Sequence, residues 1–108
     1  MSEQQPKISD AFQAFMSEAP QHAQAWMQMV HGLHAASALD EKTEALAYLA
    51  VLAALRRESG IPFHVEIAKK AGASRDEVIS AILVGLPAAG HVVTQCLPAA
   101  LAAYDGQD

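Results

Sequence analysis

A group of charged residues lies next to a histidine near the middle of the chain. Arg56, Arg57 and Glu58 are followed a few residues later by His64. An imidazole titrates near neutral pH and can act as a general acid or base, and an arginine can hold a carboxylate through two parallel hydrogen bonds. The group indicates acid–base chemistry on a small anion, with Glu58 orienting the histidine or an arginine. The alternative is a solvated helix end beside a structural histidine bonded to a backbone carbonyl.

Other histidines offer weaker signals. His91 lies in a stretch without charges, where it is either a buried, hydrogen-bonded group or a pocket residue beside Gly90 and Gln95. His31 and His34 are three residues apart, which places both on one helix face at a spacing compatible with metal ligation. Because no Asp, Glu or Cys accompanies them nearby in sequence, we predict no metal site. No cofactor is expected either.

Composition narrows the class of protein. The chain has 108 residues, 52% of them hydrophobic and 18% charged, with a net charge of -5. A nucleic-acid-binding protein needs a basic face, so this class is excluded. Cys96 is the single cysteine, and no intrachain disulfide can form; we expect a buried, unreactive thiol. No signal peptide is recognisable, which predicts a cytoplasmic location.

A long stretch without Asp, Glu, Lys or Arg covers residues 78–104. Its length is sufficient for a membrane span, but Gly and Pro interrupt it, polar residues occur within it and no basic flank follows. We therefore predict helices buried in the core or in a subunit interface, and no membrane contact. Together with Ala-rich helices, this stretch predicts a homo-oligomer, because so small a domain covers little apolar surface by itself.

Apolar residues recur at helical spacing throughout, and no segment alternates with a period of two, so the fold class is all-α with about six helices. We expect a flexible N-terminus at residues 1–8 and one compact domain at residues 9–105. Pro20 begins the second helix, whose apolar face is Trp26, Met27, Val30 and Leu33. The predicted helices cover residues 9–18, 20 to about 35, 40–59, 62–71, 74–83 and 88–103.

Four residues mark the predicted helix ends. Ser9 and Asp40 are N-cap candidates, because their side chains can accept unpaired backbone N–H groups. Ser74 and Glu77 have the spacing of a capping box. Gly60 is the candidate C′ residue that ends the third helix, since glycine tolerates a left-handed backbone.

A longer pattern extends over residues 39–103. In order, it consists of Leu39, Lys42, Leu46, Leu49, Ala50, Arg57, Glu58, His64, the run AGASRDE at 71–77 and a Gly-containing apolar helix. This order resembles the carboxymuconolactone decarboxylase and alkylhydroperoxidase D superfamily. The resemblance implies an all-helical subunit that assembles through its helices, commonly into trimers or hexamers.

The peroxidase branch of that superfamily carries a Cys-x-x-Cys pair before the histidine, and those positions are Arg57 and Gly60 here. Its assisting glutamate falls at Ala45, with Glu44 adjacent. A dithiol relay needs two thiols, so the redox site is missing and the decarboxylase branch fits better.

This resemblance implies a cofactor-free lyase for a small carboxylated or lactone-like molecule. His64 and Glu58 would be catalytic, and Arg56, Arg57 and His91 would bind substrate. The alternatives are an alkylhydroperoxidase D-like peroxidase or a non-catalytic, oligomeric small-molecule-binding protein.

Overall fold

The computed structural model describes residues 8–107, and within that range the chain is all-α, as predicted. The expected flexible segment at residues 1–8 lies, apart from Ile8, outside the described residues. Six helices have eight residues or more: α1 (Asp10–Glu18), α2 (Pro20–Ala36), α3 (Glu41–Ala54), α4 (Ile61–Lys70), α5 (Arg75–Leu83) and α7 (Leu97–Tyr104). The remaining elements are the single-turn α6 (Leu86–Ala89) and two 3₁₀ helices, Glu58–Gly60 and His91–Cys96.

The core lies where α3, α4, α5 and α7 meet, and α4 packs between α3 and α7. Its large, fully buried side chains are Leu49, Ile61, Val65, Val78, Ile82, Val93 and Cys96. Small residues of α3 and α7, among them Ala53 and Ala100, are also buried and let both helices approach α4 closely. Part of the uncharged stretch 78–104 is therefore covered within the subunit, whereas residues 86–91 and Val84 are exposed. A subunit interface over the exposed part stays a prediction.

The three predicted N-caps are confirmed. Ser9 accepts a hydrogen bond from the Phe12 N–H at 3.2 Å, and Asp40 accepts one from the Thr43 N–H at 2.8 Å. Ser74 and Glu77 form the full capping box, with distances of 3.0 and 2.9 Å. These contacts pair backbone donors that a helix start otherwise leaves unsatisfied.

The predicted end of α3 is wrong. The helix ends at Ala54 rather than at residue 59, and Gly60 has a φ of -87° instead of a left-handed backbone. Arg56 takes the left-handed position, with a φ of 60°. The N–H of Arg56 bonds the Ala53 carbonyl and that of Arg57 bonds the Leu52 carbonyl, which together make a Schellman turn.

The predicted last helix, 88–103, is also wrong in extent. Three elements share this region: α6, the 3₁₀ helix His91–Cys96 and α7. Gly90 separates the first two with a φ of 86°, a conformation that glycine adopts without steric cost. Pro98 lies in the first turn of α7, where a proline needs no backbone donor.

Polar contacts close the C-terminal end of α4. Lys69 donates to the Tyr104 carbonyl at 2.7 Å, and the Tyr104 hydroxyl donates to the Ala73 carbonyl at 2.8 Å. Arg75 binds both carboxylate oxygens of Asp105 at 2.9 and 3.0 Å. We call these five residues the closed end. They join α4, α5 and α7.

A further ion pair joins Lys42 and Glu77, two residues of the pattern over residues 39–103. Lys42 of α3 lies 3.3 and 3.1 Å from the two carboxylate oxygens of Glu77, which also completes the capping box of α5. Lys42 therefore has a structural role in fixing α3 against the start of α5.

The helices α1 and α2 pack against each other and make only sparse contacts with α3–α7. Ala23 is the one buried residue that they contain, and Trp26, Met27 and Leu33 of the predicted apolar face are exposed. We call this pair the arm. The apolar periodicity of α2 is present, but it does not face this subunit's core.

Across the described part of the chain, no helix combines the length and the apolar character needed to cross a membrane.

Candidate active site

His64 lies in the first turns of α4, on the side that faces α3. Its ring centroid is 4.4 Å from that of Tyr48 on α3, with an interplanar angle of 42°. The Phe63 ring meets it edge-on at 5.2 Å. Two aromatic side chains therefore hold the imidazole on the outer face of the α3–α4 pair.

The environment of His64 favours its neutral form. Burial lowers the pKa of the imidazole below its ordinary value of 6.5, because desolvation disfavours the charged ring. Its side chain is nevertheless half-buried and keeps a face to solvent. Within residues 8–107, neither ring nitrogen has a hydrogen-bond partner. The backbone-bonded structural histidine that we weighed as an alternative is therefore not observed.

Arg56 and Arg57 form the turn that follows α3, and both are exposed. The main chain of this turn is bonded back to α3, so the positions of both residues are fixed at the backbone. Their guanidinium groups form no ion pair with any residue from 8 to 107. Two cationic groups are thus free to meet an anion from solvent.

Glu58 begins the 3₁₀ helix between the arginines and α4, and its side chain is exposed. After burial, its negative charge is the second cause that raises the pKa of the Cys96 thiol. No hydrogen bond to His64 or to an arginine is formed in the described structure. The orienting role of Glu58 stays a prediction. The raised pKa and full burial of Cys96 agree with an unreactive thiol.

The other histidines lie elsewhere. His91 is exposed at the start of its 3₁₀ helix, so the expectation of a buried, hydrogen-bonded group is wrong; its role in substrate binding stays a prediction. His34 Nδ1 lies 2.8 Å from Glu44 Oε1, an ion pair that ties the arm to α3 when the ring is protonated. Among the described residues, no three His, Cys, Asp or Glu side chains cluster as metal ligands.

Two of the depressions on the described surface are shallow grooves near α3, α4, α5 and α7. One, of about 500 Å³, is lined by Ser59, Pro62 and Ala102 among others. The second, of about 620 Å³, is a groove between α3 and α5 with Leu46, Ala50 and Val84 on its walls. Neither is lined by His64 or the two arginines, so a pocket shared by these three residues stays a prediction.

Sequence reasoning missed Tyr48 and Phe63, the two rings that contact His64. The available signal was the spacing of Tyr48 and Val51 on α3 and of Leu55 at its C-cap, which puts them on one side away from Leu49 and Ala53. A polar aromatic residue on an outward face is a candidate for contact with a ligand or a partner.

Comparison with known proteins supplies the family. A search of curated proteins finds no match to this chain. The sequence profile of the carboxymuconolactone decarboxylase family, however, matches residues 20–104. The match includes α2 to α7, and therefore His64, Tyr48 and both arginines. The chain belongs to the carboxymuconolactone decarboxylase family.

Proposed function

We propose that this protein is a cofactor-free lyase that acts on a small carboxylated or lactone-like molecule, with His64 as general acid and base. The observation that carries the proposal is the state of His64: a half-buried imidazole with a lowered pKa and no hydrogen bond from the described residues. A histidine that serves only the fold is normally bonded through a ring nitrogen when it is buried. This one keeps its nitrogens for another molecule.

The proposed reaction is a decarboxylation in which a proton replaces the carboxylate group. The bond between the carboxylate carbon and its neighbour breaks, CO₂ leaves, and the electron pair passes into an adjacent carbonyl to form an enolate. Protonated His64 then donates its proton to the former carboxyl-bearing carbon. Water returns a proton to the neutral ring, so one proton is consumed for each CO₂ released.

In this proposal, the arginines supply binding. Arg57, with Arg56 beside it, holds a second carboxylate or the lactone oxygen, because an unpaired guanidinium can form two parallel hydrogen bonds with an oxyanion. Glu58 orients one of these cations, and His91 contributes a further polar contact to the substrate. Substrate binding would have to draw these groups around His64.

A binding protein without catalysis is the second candidate. Both depressions are shallow and neither is lined by His64, which favours this candidate, since enzymes usually enclose their substrates more deeply. A dithiol peroxidase is a poorer fit, because the chain has one cysteine and that thiol is buried with a raised pKa. A free thiol is also compatible with the cytoplasm, the location that we propose.

The test is a turnover assay on a panel of small lactone carboxylates and β-keto acids, with CO₂ release as the readout. His64→Gln should lower kcat/KM by about 10²–10⁴-fold without lowering Tm. His31→Gln is the matched control: His31 is an exposed histidine of the arm, and its substitution should change neither quantity. In the wild type, kcat/KM should fall as the pH rises through the lowered pKa of His64, since the acid form is the donor.

Two results would contradict the lyase. One is full turnover in His64→Gln. The other is absence of turnover on the whole panel while a small dicarboxylate still binds and Arg57→Ala abolishes that binding, which would establish the non-catalytic candidate. Peroxide reduction that vanishes in Cys96→Ser would establish the peroxidase.

A further inference from the structure

Tyr48 carries a hydroxyl that the fold does not use. Within residues 8–107, this hydroxyl forms no hydrogen bond, and Tyr48 is 44% exposed. The second of the chain's two tyrosines, Tyr104, differs in both respects. Its hydroxyl donates to the Ala73 carbonyl, and Lys69 Nζ lies 4.6 Å from the centroid of its half-buried ring. One tyrosine supports the fold, and the other presents a donor to solvent.

The free hydroxyl belongs to a ring that is in contact with His64, with the two centroids 4.4 Å apart. Phe63 covers a second side of the imidazole. Gly60 lies on a third side, where an added Cβ would be 4.0 Å from His64 Cδ2, and its N–H is already bonded to the Arg57 carbonyl. Of these three neighbours, Tyr48 is the residue with a side-chain hydrogen-bond donor.

The ring nitrogens of His64 are open to solvent as well. Among the described residues, every fully buried side-chain nitrogen or oxygen has a hydrogen-bond partner. The nitrogens of the half-buried His64 ring have none, so they are not fully buried. A proton carrier and a neutral donor therefore lie side by side, close enough for one small molecule to contact both.

The proposed decarboxylation produces a charge that the residues assigned so far do not stabilise. When CO₂ departs, the electron pair of the broken bond passes into the adjacent carbonyl, whose oxygen becomes the enolate oxyanion. His64 delivers its proton to carbon, and the arginines hold a second carboxylate or the lactone oxygen. A donor fixed where the charge develops lowers the barrier to reaction. A phenol can serve as this donor because it keeps its proton at neutral pH.

We propose that the Tyr48 hydroxyl is a catalytic donor that binds the enolate oxygen while His64 protonates the neighbouring carbon. Tyr48 gives a hydrogen bond and keeps its proton. The carbonyl forms again when the electron pair returns to the carbon that accepts the His64 proton, so Tyr48 is unchanged after each turnover. Tyrosine hydroxyls stabilise enolates in this way in other enzymes. The inference rests on the proposed function and adds to it a residue outside the sequence pattern.

Removal of the hydroxyl tests the donor. Tyr48→Phe keeps a ring against His64 and should lower kcat on the substrate panel by about 10²–10³-fold, the effect of losing one oxyanion donor. The value of kcat/KM should fall by the same factor, because the bond gains its strength only in the transition state. Tyr104→Phe is the matched control. It removes the other hydroxyl and should lower Tm without changing kcat at temperatures where the variant is folded.

The pH profile separates the hydroxyl from the ring. In Tyr48→Phe, the fall in kcat/KM should stay at the wild-type pH, because the ring that helps to bury His64 remains. In Tyr48→Leu, the fall should move to higher pH, because a more solvated imidazole has a pKa nearer to its ordinary value of 6.5. Equal movement in both variants would mean that the hydroxyl acts through His64, which would overturn its contact with substrate.

A second readout does not depend on turnover. Tyrosine labelled with ¹³C at Cζ gives two NMR signals, which the two phenylalanine variants assign. Oxalate is the probe, since its planar, charged oxygens resemble an enolate beside a carboxylate. Oxalate should shift the Tyr48 signal and leave the Tyr104 signal in place. Isothermal titration should show that Tyr48→Phe binds oxalate about tenfold more weakly or worse, because a hydrogen bond to a charged group is lost.

The two readouts distinguish failure of this inference from failure of the lyase. If the wild type turns over a member of the panel, an unchanged kcat in Tyr48→Phe would overturn the role of Tyr48 while the lyase stands. If the wild type turns over nothing, the lyase fails and the labelled tyrosine decides. A shifted Tyr48 signal would then support an oxyanion contact at this hydroxyl, and a Tyr48 signal that oxalate leaves in place would overturn it.

Discussion

The polar groups at the two ends of α4 differ in whether they have bonding partners within the described chain. At the closed end, Lys69, Arg75 and Tyr104 all bind acceptors on neighbouring elements. At the other end, the guanidinium groups of Arg56 and Arg57 and the ring of His64 have no hydrogen-bond or ion-pair partner between residues 8 and 107. We call this second group the open end. The polar groups of the closed end are used within the fold. Under the proposed function, those of the open end bind another molecule.

The turns beside the two ends show the same contrast in the backbone. Both follow a Schellman pattern, in which one residue adopts a positive φ. After α4 that residue is Gly72, with a φ of 101° and no steric cost, whereas after α3 it is Arg56, with a φ of 60°. Strain of this kind often accompanies functional positions. The open end therefore carries a charged side chain where the fold alone would favour glycine.

The largest expected effect separates binding from stability. Arg57→Ala should weaken the binding of a small dicarboxylate by about tenfold or more, because a hydrogen bond to a charged group contributes about 1.5–3 kcal/mol. Its Tm should stay unchanged. Arg75→Ala is the matched variant at the closed end and should lower Tm without changing affinity. Isothermal titration measures the affinity and thermal melting measures the Tm. A lower Tm in Arg57→Ala would contradict the proposed difference between the two ends.

Exchanging glycine and side chain at the two turns sharpens the comparison of the backbones. Gly72→Ala should lower the free energy of unfolding by about 1–2 kcal/mol, the cost of a left-handed alanine. No clash adds to this cost, because a Cβ at this position would meet no atom of another part of the chain within 4 Å. Arg56→Gly should raise it by up to about 1 kcal/mol through the opposite change. Urea unfolding measures both. Destabilisation by Arg56→Gly would mean that the arginine side chain supports the fold.

Removing one hydroxyl tests the closed end alone. Tyr104→Phe should lower the free energy of unfolding by about 1 kcal/mol, because the Ala73 carbonyl loses its donor while the ring remains. Tyr48→Phe is the matched variant at the open end. The Tyr48 hydroxyl forms no hydrogen bond within the described structure, so its removal should leave stability unchanged. Equal losses in both variants would contradict the difference between the ends.

The smallest effect is a dependence of stability on pH in two separate windows. The folded-state pKa of His64 lies below 6.5, so the unfolded chain binds its proton more readily and stability falls as the pH drops below about 6.5. At the closed end, bonding to Arg75 lowers the pKa of Asp105. At the start of α5, the capping bond from Ser74 together with Lys42 lowers the pKa of Glu77. Their contributions are lost only below the ordinary values of 3.8 and 4.5.

Substitution of the histidine separates the windows. His64→Gln should flatten the stability profile between pH 7 and 5 and leave the steeper acid region unchanged. His31→Gln is the control and should keep both. Urea midpoints measured across pH give this profile. If the midpoint of His64→Gln fell between pH 7 and 5 as steeply as that of the wild type, the assignment to His64 would be wrong.

Helix starts could be predicted from the sequence because the determinants are local. Ser9, Asp40 and Ser74 each bond a backbone group three residues away, so the residue types suffice. The end of α3 could not be predicted in this way. Gly60 was the better candidate by intrinsic preference, but the turn forms at Arg56, and the chain then needs the 3₁₀ helix to reach α4. Tertiary packing set that boundary.

The periodicity of α2 predicted an apolar face but not what would cover it. Spacing tells which residues share a side of a helix, and burial depends on neighbours that are distant in sequence. The same limit applies to the site. His64 and the arginines could be picked out by residue type, whereas Tyr48, sixteen positions earlier, meets His64 only because α3 and α4 pack side by side.

Cys96 gives the molecule an internal reporter of its own opening. The thiol is fully buried at the residue that precedes α7, and no other cysteine competes for a reagent. A maleimide or disulfide reagent can therefore react only during the moments when α7 and its neighbours separate. The labelling rate, compared with that of a free thiol, measures the free energy of this fluctuation in the unmodified protein. The labelling rate can be compared with and without a bound carboxylate. A difference between the two rates would show that binding at the open end changes the stability of the core around Cys96.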